Sequence, residues 1–157
     1  MSKLLKLLPN FLAYQEWIKK APLDSDEYYR TFQASESRLF QYIIAADILW
    51  PEFIEIEGMY IHKRQMPYDW EAWVKKARED GLSSNEMEAL LNHIHYETLF
   101  VQDPEYDTVS DEVLTTLANV ICEMWKQKLK VVFPEVEFEV VYDPEEHIFY
   151  TRALREH

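Results

Sequence analysis

The densest group of side chains able to bind a metal or move a proton is His93-Ile-His-Tyr-Glu97. On a helix, residues four apart share a face, so His93 and Glu97 align and Glu86 falls on the same line two turns earlier. Side chains so placed can hold a divalent cation together. His95 cannot join them, because a two-residue step turns it about 200° away. The segment is therefore not the H-E-x-x-H arrangement of a zinc protease. No Glu-x-x-His repeat of a carboxylate-bridged dimetal bundle occurs either. An edge-of-core histidine paired with Glu97 is the simpler reading, so no metal and no cofactor is assigned. Glu86, His93 and Glu97 remain the ligand set of the alternative, a metal-dependent enzyme.

Asp47 is the second candidate. It interrupts Tyr42–Trp50, where every other residue is apolar, and a buried carboxylate without a partner costs several kcal/mol or gives up its charge. It reads as a buried acid held by a basic partner or a tyrosine hydroxyl from another element, since Arg38 lies on the opposite side of its own helix. Asp103, Glu105, Asp107, Asp111 and Glu112 suggest a calcium loop, but the sixth position is Thr108 where glycine is required, and the twelfth is Leu114. They suit an acidic connection leading into a helix N-terminus. No G-x-S-x-G marks a nucleophile, and the single cysteine, Cys122, lies on the flank of an apolar helical arc where it packs as a small hydrophobe.

These residues depend on the elements that position them. An apolar arc of Leu4, Leu5, Leu8, Phe11, Leu12 and Ile18 predicts a first helix, and core packing is preferred for it over a membrane surface. A second runs over 35–50, N-capped by Ser35 and ended by Pro51; being apolar nearly all round, it is expected to be a central buried element. Residues 53–61 alternate as strands about a tight turn at Glu57-Gly58. A third helix, 68–80, closes on a left-handed cap at Gly81. Ser83 and Glu86 have capping-box spacing and open a fourth helix to Phe100. A fifth runs from 108 to 131, and past Pro134 a hairpin turns at Asp143-Pro-Glu-Glu146. The expectation is one compact α+β domain over 1–157, with about five helices packed on a small antiparallel sheet made from two hairpins.

Composition narrows the function. The two glycines, Gly58 and Gly81, are too far apart for a phosphate cradle, and one cysteine excludes an intramolecular disulfide or a C-x-x-C site. No apolar run approaches the roughly 18 residues of a membrane span, and no cleavage site follows the N-terminal apolar stretch, so a cytoplasmic protein without a membrane partner is expected. Charge is lopsided. Residues 1–80 carry 11 basic and 13 acidic side chains, whereas residues 81–157 carry 5 and 16. An anionic half of this kind repels phosphate backbones, which argues against nucleic acid, and attracts a basic protein surface. The sequence thus predicts a non-catalytic acidic protein-binding module, of the inhibitor, antitoxin or immunity kind. Its contact residues would be Glu105, Asp107, Glu137, Glu139, Glu145 and Glu146, with Tyr106 and Tyr142 as aromatic anchors. A third reading is a structural homodimer, in which the basic middle of one chain meets the acidic half of another.

Overall fold

A computed structural model describes residues 39–99 and 108–155, together with Gln15, Glu16 and Lys19. Its elements are α1 (Leu39–Leu49), β1 (Phe53–Ile56), β2 (Met59–His62), α2 (Trp70–Glu79), α3 (Ser84–Leu91), β3 (Ile94–His95), α4 (Tyr96–Leu99), α5 (Asp111–Val132), β4 (Phe138–Asp143) and β5 (Ile148–Ala153). The fold is α+β. The first helix expected from the sequence lies outside the described residues, save that Gln15, Glu16 and Lys19 are helical. Among the described residues no helix is long and apolar enough to cross a membrane.

Local chemistry sets several boundaries where the sequence places them. Glu57 and Gly58 both adopt positive φ, 51° and 77°, as a two-residue turn between right-twisted strands requires. The hairpin it closes pairs Phe53 with His62 and Ile56 with Met59. Gly81, at φ 86°, ends α2: its N–H donates to the Arg78 carbonyl and that of Leu82 to the Ala77 carbonyl, the paired bonds of a Schellman cap. The Ser83 hydroxyl accepts from the Glu86 N–H, and the Glu86 carboxylate accepts from the Ser83 N–H at 2.8 Å, completing the capping box.

The fourth predicted helix does not run to Phe100. It stops at Leu91; Ile94 and His95 then form a strand antiparallel to β5, and a separate short helix follows. The two hairpins consequently do not share a sheet. β1 and β2 form one, and β4 and β5 form another that β3 extends in the order β3-β5-β4.

The inner face of the three-stranded sheet carries Val140, Tyr142 and Phe149, which pack with Ile121, Trp125 and Leu129 of α5. Trp125 is fully buried, and its indole N–H donates to the Ile48 carbonyl at 2.7 Å, pinning the end of α1 to α5. Cys122 belongs to this core rather than to its flank, and burial pushes its thiol up to about 11, which leaves it protonated and unreactive. A second cluster joins Met59 and Ile61 to Val74, Ala77, Met87 and Leu91. By contrast α1 is not the buried centre its composition predicts. Among its described side chains Tyr42, Ile43 and Ile44 are exposed, while Ile48 and Leu49 of the last turn pack on the core.

Two polar side chains of α3 join the sheets. Residues 151 and 153 of β5 lie beyond the end of β3, so their backbone groups on that edge lack a strand partner. Glu88, wholly buried, accepts from the Ala153 N–H and, through its other oxygen, from the Tyr60 N–H at 3.0 Å. One turn on, Asn92 donates to the Thr151 carbonyl at 3.1 Å and the Tyr60 carbonyl at 2.7 Å, and accepts from the His62 N–H at 2.8 Å. The helix thus stands in for a strand between β2 and β5. Arg155 completes the node with a 2.6 Å ion pair to Glu88.

Candidate functional site

Strand alternation divides the hairpin β4–β5 into two faces. Phe138, Val140, Tyr142, Phe149, Thr151 and Ala153 look inward, and opposite them the register pairs Glu139 with Arg152, Val141 with Tyr150 and Asp143 with Ile148 on the outer face. Because Glu88 and Asn92 hold α3 against the β5 edge, this outer face and the helix together form an open groove of about 490 Å³. Ala89, Leu90, Ile148 and Tyr150 give it an apolar lining, and Glu86, His93, Asp143 and Arg152 a polar one. Leu90 is 55% exposed, a large aliphatic side chain that the fold leaves in water.

The charge of this groove is negative. Arg152 is already committed to Glu139, with its Nε 2.6 Å from the carboxylate. Glu86 and Asp143 are held only by neutral donors. The Ser83 hydroxyl and N–H hold the Glu86 carboxyl below its ordinary range. Asp143 Oδ1 accepts from the N–H groups of Glu145 and Glu146, which closes the hairpin turn. Glu145 and Glu146 are thereby thrust outward at the tip, exposed, and neither makes an ion pair with any described residue. His147, at φ 54°, brings its carbonyl to the Tyr96 N–H and its Nδ1 within 3.0 Å of the Tyr142 hydroxyl, so the tip is anchored to the core.

The structure therefore sorts the predicted contact residues. Glu145 and Glu146 stand beside the groove. Glu137 and Glu139 lie toward the other end of β4, roughly 20 Å and 13 Å before Asp143 by the rise per residue. There Glu137 shares a hollow with Lys126 and Lys130, and Glu139 is neutralised by Arg152. The acids are thus divided between the two ends of the hairpin and do not form one continuous patch. Tyr142 is no surface anchor; its ring is buried against Tyr96 and Phe149, because its strand position faces α5. Glu105, Tyr106 and Asp107 lie outside the described residues.

The metal alternative loses the helix on which it rested. With the chain broken after Leu91, His93 and Glu97 no longer share a helical face. His95, expected on the far side, instead stacks on His93 with ring centroids 4.9 Å apart. Among the described residues no three histidine, cysteine or carboxylate side chains converge on one point. Asp47 is half exposed, not buried, and pairs with Arg64 of the turn after β2 at 3.1 Å; its partner does come from another element. The buried acid is Glu88. Its signal was the placing of Glu88 and Asn92 one turn apart beside the apolar stripe of Met87 and Leu91. Leu90 was likewise not singled out, since only the packing of α3 beside β5 brings it into one groove with Tyr150.

No family model matches the chain, nor does any curated protein or solved structure.

Proposed function

We propose that this chain is a non-catalytic protein-binding module that engages a basic protein surface through the outer groove of its C-terminal hairpin. The observation that carries the reading is the groove itself: an apolar lining that includes an exposed leucine and a tyrosine, beside the uncompensated carboxylates Glu86, Asp143, Glu145 and Glu146. An apolar centre within a charged border is the usual anatomy of a protein interface, and Tyr150 is of the type that anchors one. The acidic surplus of residues 81–157 supplies a field that speeds encounter with a cationic partner. The role suits an inhibitor, antitoxin or immunity protein that covers a cationic site, acting in the cytoplasm.

The test is capture from the host extract at low and high salt, followed by kinetics with the purified partner. Association should slow as salt rises, and the double reversal Glu145→Lys with Glu146→Lys should reduce the association rate about tenfold. Tyr150→Ala should instead shorten residence. A captured partner whose affinity stays flat across salt, and is unmoved by both changes, would overturn the reading. So would light scattering that finds the chain assembling only with itself through this face.

A further inference from the structure

The groove does not end at α3. Leu90 also walls a second hollow, of about 260 Å³, which Trp73, Lys76, Ala77, Asp80 and Leu82 complete. The helical wheel explains why one side chain serves both. Met87 and Leu91 turn toward α2, packing with Val74 and Ala77, whereas Glu88 and Asn92 turn toward β5. On the outer side of α3 the same rotation sets Leu90 about 60° from Met87 and Ala89 about 100° beyond Glu88. Leu90 therefore borders the α2 side and Ala89 the β5 side. The exposed leucine is a ridge with a hollow on either flank.

The spacing and charge of the two hollows narrow the occupant. They lie on opposite flanks of one helix, so their centres are about 10 Å apart. Each exceeds the roughly 150 Å³ that admits a benzene ring, so each can take one large apolar side chain. On an α-helix, residues seven apart lie on one face and are about 10.5 Å apart along the axis. In a strand the same distance is three residues, whose side chains point to opposite faces, so a strand cannot seat both. The charges differ as well. Glu86 and Asp143 of the groove pair with no cation among the described residues, whereas Lys76 and Asp80 give the smaller hollow one charge of each sign. Resting on the interface reading above, we propose that the partner docks an amphipathic basic α-helix across α3. Its apolar side chains at i and i+7 straddle Leu90, and its lysines or arginines lie toward Glu86 and Asp143.

The test is fluorescence anisotropy of the full chain with labelled alanine-based helical peptides of equal lysine content. Their two phenylalanines stand four, seven or eleven positions apart. The seven-spaced peptide should bind about tenfold more tightly than the other two, the least that burying one more phenylalanine is worth. Lys76 is exposed, so Lys76→Trp fills the smaller hollow without entering the core, and it should abolish that preference. Equal affinity for the three spacings, no binding of any up to millimolar concentration, or a preference that survives Lys76→Trp would overturn the inference. A captured partner whose association still slows with salt and whose residence still depends on Tyr150, but which ignores Lys76→Trp, would overturn the helix and leave the interface standing. Association that ignores salt would sink both.

Discussion

Two ion pairs of the same length make unlike contributions to this molecule. Glu88–Arg155 and Glu139–Arg152 both close to 2.6 Å, yet the first carboxylate is wholly buried and the second is 32% exposed. Water screens the outer pair and competes for it, so its net worth is small. At the inner pair water is kept from the carboxylate, which also carries the backbone N–H groups of Tyr60 and Ala153. The distance between charged groups therefore says little about what depends on them. The number of otherwise unsatisfied partners, and the dielectric around them, says more.

The contrast can be broken most directly at Glu88. Glu88→Leu removes the acceptor from one guanidinium and two backbone N–H groups, and should destabilise the fold by about 3–5 kcal/mol in denaturant unfolding. A loss below about 1 kcal/mol would mean that the seam between the sheets is not held this way.

Acid sharpens the same point through His62. Its pKa is lowered from 6.5 to about 4, chiefly by burial and then by Arg64, with Asp47 acting in the opposite direction. A group that resists protonation in the folded chain but accepts it in the unfolded one contributes its full stability above about pH 6.5. That contribution is lost as pH falls from there toward about 4, at roughly 1.4 kcal/mol per pH unit and some 3 kcal/mol in all. Unfolding measured across this window should show that slope, and His62→Phe should remove it.

The smallest effect belongs to the outer pair. Glu139→Ala should cost about 0.2–1 kcal/mol, and the cost should shrink further in high salt. A loss as large as that of Glu88→Leu would erase the distinction drawn between the two sites.

The break in the fourth predicted helix shows where sequence reasoning ran out. Leu90, Leu91, Asn92 and His93 include neither proline nor glycine, and nothing local forbids another turn. The helix ends because the Asn92 side chain is drawn to Thr151 and Tyr60, and because Ile94 and His95 find Phe149 and Ile148 across β5. That outcome moved His93 to the groove and dissolved its alignment with Glu97. The error over α1 has a related source. An all-apolar run records what a segment could bury, whereas packing decides which of its turns are in fact covered.

What the chain alone determined is what its neighbours within a few residues decide. The turn at Glu57-Gly58, the cap at Gly81, the Ser83 capping box, the alternation of β4 and the α+β class all rest on backbone geometry and hydrogen bonds of short span. Tertiary structure decided which carboxylate is buried, which aromatic faces water, and where the groove forms. The partners of Glu88 lie 28, 65 and 67 positions away along the chain. A contact of that reach leaves no period or spacing in the sequence. It is selected only when the whole set of buried polar groups must be satisfied at once.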